Sequence, residues 1–117
     1  MAMIENLEAM LKAGQDNALL RFTLGSALFK QGDAAQAITH LRAAVSHDPD
    51  YSAAWKIYGK ALHAAGNPED AKAAFESGIC AAQRHGDVQA AKEMKVFLKR
   101  VLKTLDAGQE PVGPGRS

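Results

Sequence analysis

The chain contains one cysteine, Cys80, in 117 residues, which rules out an intramolecular disulfide and a thiolate metal cluster within one chain. Beside Ile79 and Ala81 it reads as a small apolar residue of a helix. A catalytic thiol needs an activating base, and His85, five residues on, lies poorly placed around a helix to serve. Histidine is as sparse: His40 and His47 stand two helical turns apart, too distant to chelate one metal, and His63 and His85 are alone in their helices. No HExxH, no carboxylate and histidine at ligand spacing, no glycine-rich loop after a strand and no nucleophile elbow occurs. Ser26, Ser46, Ser52 and Ser77 fall at helix-surface or turn positions. The expectation is a protein without enzymatic activity, metal or cofactor.

An excess of one charge is also missing, since the net charge is only +1. Lys92, Lys95, Lys99 and Lys103 recur three to four apart, with Arg100 near them, but no aromatic interleaves with them on that stripe. The electrostatic footprint of a nucleic-acid binder is therefore thin, and cations late in a helix have an ordinary reason to be there, the helix dipole. No apolar run is long enough to span a bilayer. At the start, Glu5 and Glu8 interrupt any secretory-type apolar stretch. A soluble, cytoplasmic protein that engages no membrane is expected.

What the chain does have is a period. Leu24-Gly25, Ala27-Leu28, Gly32-Asp33, Ala37, Leu41 and Ala44-Val45 are matched 34 residues later by Tyr58-Gly59, Ala61-Leu62, Gly66-Asn67, Ala71, Phe75 and Gly78-Ile79. Self-similarity at this spacing marks an array of helical hairpins, each unit burying its apolar face on the next. Gly25 and Gly59 allow the first helix of each pair to approach its partner closely, with Leu28 and Leu62 supplying bulk around them. Gly32-Asp33 and Gly66-Asn67 stop one helix and cap the next, Gln36 is placed for a capping box with Asp33, and Pro68 takes a first helical position. Asp48-Pro49-Asp50 ends the first pair and turns the chain into the second. Gly78 inside a helix points to close packing there.

These residues resemble the tetratricopeptide repeat. The second unit matches that family's pattern with Trp55, Tyr58-Gly59, Leu62, Gly66, Ala71 and Phe75, and departs from it with Gly78 for alanine and Gln83 for proline. The first matches with Leu24-Gly25, Leu28, Gly32, Ala37, Leu41, Ala44 and Pro49, and carries Arg21 where an aromatic is usual. The resemblance implies an all-α fold, a right-handed superhelix of antiparallel helix pairs.

Two units need their open ends covered. Met3, Leu7, Met10 and Leu11 form an apolar stripe that predicts an N-terminal helix over 2–13. Asp87 can cap a helix carrying Ala90, Ala91, Met94, Phe97, Leu98, Val101 and Leu105, predicted over 87–105. With repeats at 17–50 and 51–85, the chain reads as one domain over 1–106. The stretch 107–117, rich in glycine and proline, is expected to be a disordered tail.

By the same resemblance, the first helix of each pair lines a concave groove. The residues facing it would be Phe22, Ser26, Phe29 and Lys30 from the first unit, and Lys56, Lys60 and His63 from the second. One helix then offers aromatic contact and the next positive charge, a combination suited to a peptide or helix with an apolar anchor beside acidic side chains. The family's lysine and asparagine clamp for carboxylate-ended chaperone tails is not carried over, because Phe22, Ser26 and Ile57 occupy its places and Ala91 stands where its arginine would be expected. The expected function is a protein-interaction adaptor. The alternative is a structural subunit acting mainly through self-association, such as a homodimer closed over the apolar stripe of the last helix, or through assembly into a larger complex.

Overall fold

Glycines with positive φ, Gly14, Gly32, Gly66 and Gly86, stand at four of the helix ends, and Asp48-Pro49 stands at another. The computed structural model describes residues 2–109, and within them the chain is helical throughout: α1 (Ala2–Lys12), α2 (Ala18–Lys30), α3 (Ala34–His47), α4 (Ser52–Ala64), α5 (Pro68–Arg84) and α6 (Val88–Gln109). The expected domain boundary at 106 shifts, because α6 continues about one turn past Leu105. The rest of the expected disordered tail, 110–117, lies outside the described residues.

The turns inside the two hairpins are built alike. After α2, Gly32 takes φ +93°, so that its N–H reaches Phe29 O and the Asp33 N–H reaches Leu28 O. After α4, Gly66 at φ +84° places its own and the Asn67 N–H on His63 O and Leu62 O. A left-handed residue closing the last carbonyls in this way is glycine's usual place at a helix end.

The caps then differ from the sequence expectation. Asp33 Oδ1 accepts from Gln36 N at 3.1 Å, but the Gln36 side chain donates to Asp33 Oδ2 at 2.6 Å rather than reaching a backbone N–H, so the capping box is not formed. Asn67 makes no side-chain cap; Pro68 at the start of α5 removes one donor that would need one. Asn17 and Asp87 cap α2 and α6, accepting from Leu20 N at 2.9 Å and Ala90 N at 3.1 Å.

The helices pair α2 with α3 and α4 with α5, α6 lies against α5, and α1 packs on α2. Close approach explains the helical glycines. A Cβ on Gly25 would stand 2.7 Å from Leu41 Cγ, one on Gly59 would stand 2.5 Å from the Phe75 ring, and one on Gly78 would be 2.5 Å from Met94 Sδ and 2.6 Å from Trp55 Cβ. Leu24, Leu41, Leu62, Phe75, Met94 and Val101 form the fully buried spine. Ile4, Leu7 and Leu11 of α1 and Leu98 and Leu105 of α6 pack on this core, so both flanking helices act as caps. A second cluster, Ala44, Val45 and Ala54 under Phe22, Tyr51, Trp55 and Tyr58, joins the two units. The result is an elongated α-α superhelix, 58 × 32 × 18 Å.

Candidate interaction groove

The first helices of the two units, α2 and α4, lie side by side, flanked by α1 and α6. On α2, Phe22, Ser26 and Phe29 follow one another at four and three residues, which keeps them on one helical face. The Phe22 ring tilts against Tyr51, centroids 4.9 Å apart. Phe22, Ser26 and Lys30 come together with Met3, Thr23, Ala27 and Ile57 around a cleft of about 380 Å³. Ser26 Oγ is buried there without a hydrogen-bond partner, and Lys30 is exposed. Phe29 does not line this cleft; it is half-buried against the main core. Met3 is the wall that sequence reasoning missed, since an N-terminal stripe residue carries no sign of which repeat helix it will overhang.

The three α4 residues turn to α6. Lys56 Nζ donates to Glu93 Oε1 at 2.7 Å, and Gln89 Nε2 donates to the other carboxylate oxygen at 3.1 Å. The Lys56 hydrogen bond, helped by Gln89, holds the Glu93 carboxyl below the usual carboxylate range. Lys60 Nζ lies 4.9 Å from the centroid of Phe97, whose ring stacks on Phe75 and also carries the Arg100 guanidinium at 5.4 Å. His63 Nε2 and Thr104 Oγ1 are 3.1 Å apart. The residues of the expected groove thus have different surroundings: Phe22, Ser26 and Lys30 line a cleft, Phe29 packs on the core, and Lys56, Lys60 and His63 contact the last helix.

A polar cluster outside the groove has no signal in the sequence beyond Arg21 standing in an aromatic's place. Asp16 accepts from Arg21 Nε and Nη2 at 2.8 and 2.9 Å and lies 3.0 Å from His47 Nε2. Arg21 Nη1 is 3.1 Å from His40 Nδ1, and because arginine only donates, that histidine nitrogen is the acceptor. The Arg21 hydrogen bond brings the Asp16 carboxyl down to about 2. Burial, reinforced by the Arg21 charge, keeps His40 below the usual imidazole value. At the opposite turn, Asp50 accepts from Arg84 at 2.7 Å, and Ser52 Oγ donates to Asp87 Oδ2 at 3.0 Å.

Cys80, read from its neighbours as a small apolar residue of a helix, is exposed. Among the described residues, no three of His, Cys, Asp and Glu gather as a metal site, and no helix is long and apolar enough to cross a membrane. A larger cleft, about 470 Å³, opens among Arg42, Trp55, Tyr58 and Asp70. It lacks the unsatisfied buried polar atom that marks the α2 cleft, and Arg42 Nε donates across to Tyr58 Oη at 3.3 Å.

Comparison with known proteins agrees with this architecture. Residues 28–94 match the model of the Tetratricopeptide repeat family. The chain is 54% identical over 99 residues to a TPR repeat-containing protein of Pseudomonas aeruginosa, an alignment spanning 85% of this chain and 94% of that one. It is also similar to a protein of Bordetella parapertussis solved in solution, with TM-score 0.77 and 49% identity over 93% of this chain and 94% of that one. Repeats of this kind generally mediate protein–protein interaction, and proteins built from them are generally non-enzymatic scaffolds. With two helix pairs in register, glycines at each close crossing and relatives aligned over nearly their whole length, the chain belongs to the tetratricopeptide repeat family.

Proposed function

We propose that this protein is a non-enzymatic, cytoplasmic adaptor that takes a peptide or helix of a partner protein into the groove along α2 and α4. The observation that carries the reading is the α2 cleft: apolar walls from Met3, Phe22 and Ile57, a buried Ser26 hydroxyl with no partner, and the exposed Lys30 ammonium at its edge. An apolar side chain of the partner fills the cleft, and a carboxylate of the partner meets Lys30. Phe29 packs on the core and stays outside this contact. Lys56, Lys60 and His63 form the far wall, where an acidic ligand has to compete with Glu93 for Lys56.

A photo-crosslinking amino acid at Ser26, with the adducts identified by mass spectrometry, tests this. Adducts to one partner protein that disappear when Phe22→Glu or Lys30→Glu is added support the adaptor. Adducts only to a second copy of the chain, or adducts indifferent to both substitutions, overturn it and favour the structural-subunit reading.

A further inference from the structure

Among the described residues, α6 packs only against α5 and α4, and no helix covers its outer face. Asn17 and Asp87 cap α2 and α6 in the same manner, each accepting from the backbone N–H three residues on. Counted from those caps, Leu24 coincides with Met94, and both are fully buried. In the same register Leu28 coincides with Leu98, and Gly25 with Lys95. Gly25 is where α2 receives α3, against Leu41, and Gly59 is where α4 receives α5, against Phe75. α6 is thus the first helix of a third unit, and Lys95, Leu98, Lys99 and Leu102 occupy the face on which a second helix would sit. That face has a furrow of about 330 Å³. Leu102 and the adjoining Val96 remain 39% and 52% exposed.

Charge decides which helix fits. Among the described residues, none of Lys92, Lys95, Lys99 and Lys103 forms an ion pair. Lys95 in the glycine position also holds an incoming helix farther from α6 than α3 lies from α2. A second copy docked through the same face would bring the two lysine sets together, which is repulsive. A helix with leucine-like residues on one side and carboxylates flanking them would fill the furrow and neutralise Lys95 and Lys99. We propose that this face of α6 docks an acidic amphipathic helix of another protein, at a site separate from the α2 cleft.

The probe is a synthetic helical peptide about as long as α3, with leucines three and four apart and glutamates flanking them. Its controls are a scrambled peptide of the same composition and one with lysine for every glutamate. Binding to the full-length chain is followed by backbone amide NMR. The expected result is shift changes at Lys95, Leu98, Lys99 and Leu102, and an affinity that falls about tenfold or more in the Lys95→Glu, Lys99→Glu variant while Lys30→Glu leaves it unchanged. Equal binding of either control peptide, or shifts confined to the Phe22 and Ser26 cleft, would overturn the proposal. So would sedimentation showing a dimer that Leu102→Asp dissociates. Phosphatidylcholine vesicles containing phosphatidylglycerol, if they bind through these lysines in preference to the acidic peptide, would replace the helix with a membrane surface.

Discussion

Lys56 Nζ lies 2.7 Å from Glu93 Oε1, a link between the first helix of the second unit and the terminal helix. Glu93 is an acid whose folded pKa is depressed, by the Lys56 hydrogen bond first and Gln89 next. Its contribution is therefore present above the ordinary glutamate range and is lost as pH falls through the depressed folded value. Glu93→Gln should lower the urea midpoint slightly near neutrality and not at all in strongly acidic buffer. High salt should shrink the difference, because the pair is partly exposed.

Gly59→Ala would place a methyl group 2.5 Å from the Phe75 ring. That ring is fully buried and stacked on Phe97, so it has little room to withdraw. We expect a loss of about 1–3 kcal/mol, the usual range for an overpacked core, measured by chemical denaturation. Wild-type stability in this variant would show that α4 and α5 can separate without loss.

The helix caps should separate into two groups. Asp33 and Asp87 each accept a backbone N–H three residues on, and alanine at either position should cost about 1 kcal/mol. Asn67 makes no such bond, so Asn67→Ala should cost at most a few tenths. Thermal melts of the three variants side by side check the ranking.

The Asp16, Arg21 and His40 cluster predicts two pH responses. His40 resists protonation in the folded state because it is partly buried beside Arg21. As pH falls below the ordinary imidazole value the unfolded chain takes up the proton first, so stability declines. Substituting His40→Gln should remove that decline. Asp16 responds at lower pH: its contribution is complete above the ordinary 3.8 and is lost as pH falls toward about 2, so Asp16→Asn should flatten this second limb. NMR titration of each side chain gives the folded-state values directly.

The sequence by itself determined the helices, their pairing and the family. Glycines at fixed spacing, capping carboxylates and an apolar period are local features, and Gly25, Gly59 and Gly78 announce close crossings because only a missing side chain permits them. The α6 boundary was less legible, since Leu105 ends the apolar pattern while the backbone ladder continues to Gln109. Which side chains share a surface was decided only by the tertiary structure. Nothing in the local sequence shows that Met3 overhangs Phe22 and Ser26, that Glu93 reaches Lys56 across 37 residues, or that Arg21 trades an aromatic contact for Asp16 and His40. Those pairings depend on where α1 and α6 dock. Docking follows from how the buried faces of all six helices fit together, not from the residues of any one helix.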